Sequence, residues 1–169
     1  MGKAKLQAEL GVSKDAADEL FTIYHQRVPF VKTLMNSVSN RAQQRGQIRT
    51  LLGRLCRFHL WEPNQFGIHK ALPFEQARQE YGSGIRRAYT YKALNKLIQG
   101  SAADMTKKAM LDLYKEGITP HIQIHDELDI SVKDDTEAKK IIEIMENTVS
   151  LEVPNKVDYE SGDTWGDIY

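Results

Sequence analysis

Cysteine is nearly absent: Cys56 is the only one in 169 residues, which excludes an internal disulfide framework and any zinc site built on several thiolates. Long apolar runs are missing too, and none approaches the roughly 18 residues needed to span a bilayer. The opening MGKAKLQAEL lacks the apolar core of a secretory signal. A soluble chain in a reducing compartment, with no membrane partner, is the expectation. Net charge is also lacking, since 23 Lys plus Arg face 23 Asp plus Glu. That neutrality hides an uneven distribution. Residues up to Met110 hold 18 basic and 8 acidic side chains, whereas those from Leu111 onward hold 5 and 15. The 41% of apolar residues suffices for an ordinary core.

Neither internal repeats nor low-complexity tracts occur, and the one break in composition is Glu62 to Gly84, with two prolines and three glycines. It reads as a long loop or insertion. Before it, Ser13 can cap a helix in which Ala17, Leu20, Phe21 and Tyr24 recur at helical spacing. Pro29 breaks or restarts that helix. Val31, Leu34, Met35, Val38 and Ala42 carry a second one until Gly46 closes it. Gln47 to Trp61 changes to short β-type runs around Leu52-Gly53, a hairpin with the glycine in its turn. Tyr91, Leu94, Ile98, Ala102, Met105 and Ala109 mark the longest helix. Its small stretch Gly100-Ser101-Ala102-Ala103 invites the close approach of another backbone or a ligand.

Ile122 and Ile124, then Leu128, Ile130 and Val132, predict two short strands. Asp126 shares their apolar phase, so a continuous strand would bury a carboxylate at a cost of several kcal/mol. A tight turn at His125-Asp126-Glu127 avoids that. Ala138, Ile141, Ile142, Met145 and Val149 predict the last helix, and Val153 to Tyr159 a final strand. Hairpins mixed with helices give an antiparallel α+β class.

Phe21 to Leu60 holds seven Lys or Arg and no acidic residue. Such a run suits a surface that contacts closely spaced phosphates through counterion release; a solvated face balanced by the acidic half is the alternative. Asp126 and Glu127 are hard oxygen donors suited to Mg²⁺, but adjacent strand residues point oppositely, so both reach one ion only if the turn redirects them. His121 and His125 would sit roughly 13 Å apart along a strand at about 3.3 Å per residue, too far for one zinc ion. Gly82-Ser83-Gly84 lacks the strand-turn-helix context of a dinucleotide loop. Asn95 and Gln99 project from one helix face, where amides can read base edges or merely meet water.

Four segments, IRTLLGR at Ile48 to Arg54, NKLIQGSAADMTKKAM at Asn95 to Met110, QIHDELDISV at Gln123 to Val132, and SGDTW at Ser161 to Trp165, resemble in order the C-terminal end of family A DNA polymerases. The resemblance implies part of a palm and the base of the fingers: residues 1–46 a helical fingers-base segment, 47–61 a hairpin, 62–84 a loop or insertion, and 85–169 the palm. It also implies residue roles. Asp126 corresponds to one of two metal-binding aspartates, Glu127 to its less essential neighbour, and His125 to a residue beside the primer end. Asn95 and Gln99 correspond to amides at the minor groove of the nascent duplex. Arg54 and Thr50 lie in a hairpin that touches the nucleic-acid backbone; Arg49 and Gln123, in the same motifs, join the DNA-contacting set.

The implied partners are primer-template DNA, deoxynucleoside triphosphates and Mg²⁺. The family's other catalytic aspartate and its triphosphate-gripping helix lie upstream, and Met1-Gly2-Lys3 falls just after that helix. A C-terminal subunit of a split polymerase is therefore expected, in a cytoplasm (the host's, if phage-encoded) or an organelle matrix. A binding module that kept the fold without the chemistry, or a fragment of a longer polymerase, remain alternatives. Tyr91 stands where relatives often carry a basic residue.

Overall fold

A computed structural model describes residues 3–168; the expectation for Met1-Gly2 lies outside them, as does Tyr169. Two compact units are present, each built from two stretches of chain. One gathers the chain up to Arg49 with Leu55–Leu97; the other gathers Thr50–Arg54 with the chain from Ile98. All strand pairs among the described residues are antiparallel, as the α+β reading requires.

In the first unit, α1 (Lys3–Leu10) is a short helix that no periodicity announced; it buries none of its residues. Ser13 caps α2 (Lys14–Arg27), its Oγ accepting from the Ala16 N–H at 3.2 Å. Pro29 opens α3 (Pro29–Arg45) in its first turn, where a missing N–H costs nothing. Gly46 closes α3 with φ +67°, donating to the Ala42 carbonyl at 2.9 Å. β1 (Gln47–Arg49) then pairs with β2 (Leu55–Arg57), Ile48 opposite Cys56. Val38, Ala42, Ile48, Phe58 and Ala93 form the core here, with Cys56 and Leu97 packed against it.

Gly46 has a second reason to be glycine. A Cβ there would lie 2.6 Å from Cζ of Arg87. That guanidinium donates to the Gln43 carbonyl at 3.1 Å and the Phe58 carbonyl at 3.0 Å, and it stacks 4.6 Å from the Trp61 ring centroid. Arg87 thus ties α3 to the segment after β2.

The expected hairpin ends earlier than Trp61, because β3 (Leu60–Pro63) joins another sheet. β3 lies between β4 (Leu72–Pro73) and β5 (Ile85–Arg87). Residues 62–84, read as a loop or insertion, therefore hold regular structure, including α4 (Phe74–Tyr81). The ring of Phe74 meets Trp61 edge-on at 5.0 Å. Strands this short carry too few residues for alternation to register.

In the second unit, α5 (Ala93–Lys115), whose first residues belong to the first unit, is the longest helix of the described chain. β6 (Ile122–Ile124) and β7 (Glu127–Asp129) form the expected hairpin. α6 (Asp135–Asn147) is capped by Asp134, whose Oδ1 accepts from the N–H groups of Thr136 and Glu137, both at 2.9 Å. Leu113, Ile118 and Ile141 make the core, with Leu128, Ile130, Ile144 and Met145 around it. Leu128 thereby anchors the hairpin that carries Asp126.

The final strand over Val153 to Tyr159 does not form. Side chains hold that stretch instead: Asn155 donates to the Met145 carbonyl at 3.4 Å, and Glu146 accepts from the Val157 N–H at 3.2 Å. The Val157 N–H thus finds a carboxylate on α6 rather than a strand partner.

Asp112 links α5 to the residue that follows α6. Lys108 on the same helix donates to it, Thr148 Oγ1 donates at 2.8 Å, and Lys115 lies at 3.3 Å. The Lys108 contact first, then the Thr148 hydroxyl, hold its acid at about 2, against partial burial, which works the other way. A depressed folded value means that the stabilisation is complete above the unfolded-state value of about 3.9 and fades as pH falls toward 2. The Asp112→Asn variant should therefore have a lower urea midpoint than the parent at neutral pH, and the two midpoints should converge near pH ~2. A gap that stayed constant across that range would mean that Asp112 contributes shape rather than charge.

Candidate nucleic-acid interface and catalytic turn

The β6–β7 pairing sets Ile122 opposite Asp129, Gln123 opposite Leu128 and Ile124 opposite Glu127. Only His125 and Asp126 are left to make the connection. Such a two-residue link needs a left-handed position, which His125 takes with φ +53°, a conformation that disfavours most side chains. Gln123 supports it, its Nε2 donating to the His125 carbonyl at 3.0 Å. Of the residues grouped as DNA-contacting, Gln123 is thus committed to the turn itself.

Asp126 is exposed at the tip of this turn, and among the described residues its carboxylate has no hydrogen bond or ion pair. Glu127, also exposed, begins β7. The apolar phase that would have buried Asp126 is broken by the turn, as the sequence required. His121 is engaged elsewhere, with its Nε2 3.0 Å from Ser131 Oγ. No group of three or more His, Cys, Asp or Glu among the described residues is gathered to hold a metal ion. The chemistry of Asp126 fits Mg²⁺, a hard cation that usually takes one or two carboxylates together with water and phosphate oxygens. The donor set within the described chain is incomplete.

On α5, Asn95 and Gln99 are both exposed and one turn apart. Tyr91 precedes them, 69% exposed, with the Lys92 ammonium 5.6 Å from its ring centroid. The small-residue stretch does receive a close neighbour, the turn Thr50–Arg54. A Cβ on Gly100 would lie 2.9 Å from Thr50 Cγ2. Ser101 Oγ accepts from the Leu51 N–H at 2.9 Å, and Arg54 Nη2 donates to the Gly100 carbonyl at 2.8 Å. Arg54 Nε also pairs with Asp104 Oδ1 at 2.8 Å.

These contacts refine the expected roles. Thr50 is 5% exposed, with its hydroxyl bonded to the backbone N–H of Arg54 at 3.0 Å, so it shapes the turn and does not face solvent. Gly53 completes the turn at φ +89°, as its sequence position suggested. Arg54 remains half exposed although two of its nitrogens are engaged, and Arg49 is exposed. Asp104 was not singled out from the sequence. Its partner lies fifty residues away, and a lone acid in a helix gives no signal of its own.

Residues 1–167 match the sequence profile described as DNA polymerase family A. The chain is 37% identical over 147 residues to a DNA-directed DNA polymerase of Pseudomonas phage M6, a match covering 87% of this chain and 19% of that protein. It is 34% identical over 171 residues to DNA polymerase I of Bacillus caldotenax, covering 96% of this chain and 18% of the relative. Among solved structures, the POL domain of Pol1 from M. smegmatis, in complex with DNA primer-template and dNTP, matches with TM-score 0.66 and 27% identity, over 90% of this chain and 26% of that one. The chain thus spans about a fifth of the length of the curated relatives it matches. With a match that runs through the hairpin, the Asn95–Gln99 helix and the His125-Asp126-Glu127 turn, the chain belongs to DNA polymerase family A.

Proposed function

We propose that this chain is the C-terminal portion of a DNA-directed DNA polymerase and contributes to template-directed addition of deoxynucleotides to a primer. The observation that carries the reading is Asp126: an exposed carboxylate without a partner among the described residues, on a left-handed turn whose backbone a neighbouring amide holds.

In the reaction, the primer 3′ hydroxyl gives up its proton to water and its oxygen forms a bond to the α-phosphorus, the bond from that phosphorus to the bridging oxygen breaks, and pyrophosphate departs with the electron pair. Mg²⁺, when bound, stabilises the attacking and leaving oxygens. Asp126 would be this chain's ligand to it, with Glu127 close by. His125 would lie beside the primer end. Asn95 and Gln99 would contact the minor groove, while Arg49 and Arg54 would meet phosphates and set the duplex in register. Gln123 would act by holding the turn, and Thr50 by shaping the one that carries Arg54.

In this reading residues 1–46 belong to the base of the fingers and 85–169 to the palm. A second aspartate and the helix that grips the triphosphate come from an N-terminal polymerase portion, in a split enzyme on a separate chain. A cytoplasmic location goes with access to template and deoxynucleotides. No helix of the described residues is long and apolar enough to cross a membrane.

The test is incorporation opposite a defined template base. Four primer-templates that differ only at the first unpaired base are offered to the polymerase that contains this chain, with Mg²⁺ and one deoxynucleotide at a time. Addition of the complementary nucleotide in each case is expected. Duplex binding without incorporation would favour the non-catalytic module.

A further inference from the structure

We propose that Asp104 is a positioning residue that fixes the guanidinium of Arg54 so that its free edge meets a phosphate of the bound duplex in register with Gln99. This rests on the reading of Arg54 as a phosphate contact. Asp104 is 7% exposed and pairs with Arg54 Nε at 2.8 Å. Its other oxygen, Oδ2, is buried and has no hydrogen-bond partner. Arg54 is therefore the one donor that compensates this buried carboxylate among the described residues.

A guanidinium is planar and carries five N–H groups along two usable edges. The edge made by Nε and Nη2 is occupied, by Asp104 and by the Gly100 carbonyl at 2.8 Å. With the side chain 47% exposed, the opposite edge, made by Nη1 and the outer hydrogen of Nη2, is left for an oxygen acceptor from solution. Gln99 immediately precedes Gly100, the residue that receives Arg54, so one helix turn carries both a groove-reading amide and the anchor of the phosphate contact. Asp104 lowers the net charge that a phosphate meets. What it contributes is orientation, which binding alone does not require but in-line attack does.

That distinction sets the experiment, made with the polymerase that contains this chain by measuring duplex Kd across salt, primer-template KM and kcat. Asp104→Asn should leave Kd unchanged or tighter, because a negative charge is lost, while kcat falls on the order of tenfold. Arg54→Lys keeps the charge but not the fork, and should retain affinity while showing the same loss in kcat. Arg54→Ala alone would strand the Asp104 carboxylate, so the neutral pair Arg54→Ala with Asp104→Asn is the suitable deletion. It should weaken binding and flatten the slope of log affinity against log salt by about one unit. Thermal melting of each variant separates misfolding from misalignment.

If the neutral pair binds with parental affinity and slope, Arg54 touches no phosphate, and both the contact and the positioning role fall. If the pair weakens binding as expected yet Asp104→Asn and Arg54→Lys keep parental kcat, the contact stands and the positioning role is overturned.

Discussion

Asp126→Asn is expected to abolish nucleotide addition by the assembled polymerase while leaving folding and duplex binding close to parental. The substitution is nearly isosteric and removes the charge that would hold a divalent ion. Because the side chain is exposed and has no internal partner among the described residues, the fold loses nothing. A metal clamp that stabilises the attacking and leaving oxygens is worth several kcal/mol in the transition state, so the loss should be on the order of a thousandfold or more in kcat. Primer extension under single-turnover conditions measures it. Gln99→Ala and Asn95→Ala should cost less and act mainly on primer-template use or fidelity, since groove contacts position the duplex without carrying the reaction. Parental extension by Asp126→Asn would refute the site, and an equal loss from either amide would give the helix another role.

Local chemistry was legible where one residue type solves one backbone problem. The cap at Ser13, the restart at Pro29, the left-handed close at Gly46 and the turn at Gly53 all follow from groups within a few residues of each other. The His125-Asp126 turn was legible for a different reason: a carboxylate in an apolar phase forces the chain to bend. Illegible features depend on distant partners or on very short elements. The two residues of β4 leave no periodic trace, and α1 has no apolar stripe to betray it. The stretch from Val153 reads like a strand, yet the Val157 N–H meets the Glu146 carboxylate of α6 instead of a neighbouring strand. Asp104 belongs with these, because nothing near it in sequence marks the arginine it holds. The small stretch at Gly100 announced a close neighbour without naming it; Thr50–Arg54 filled that role.

The lone chain is expected to have no nucleotide-transfer activity and to gain it when combined with an N-terminal polymerase portion. One carboxylate cannot secure two ions, and the described residues offer no cluster to supply the others. The resemblance assigns the missing aspartate and the triphosphate-binding helix to sequence upstream. Surface chemistry points the same way. On α3, Phe30 is 65% exposed, with Leu34 and Met35 also open, and on β6 both Ile122 and Ile124 are exposed. An open apolar helix face and exposed isoleucines on a two-stranded sheet favour aggregation unless something covers them. The chain alone should therefore melt at a low temperature or precipitate, and its transition should rise with the concentration of the N-terminal portion. The complex with that portion is expected to bury a partly apolar interface well above about 2,000 Å². Primer extension with Mg²⁺, run on the purified chain and then on the mixture, decides the matter. Robust extension by the chain alone, free of contaminating polymerase, would mean that the acidic half builds a complete metal site by itself, and the split-enzyme reading would be wrong.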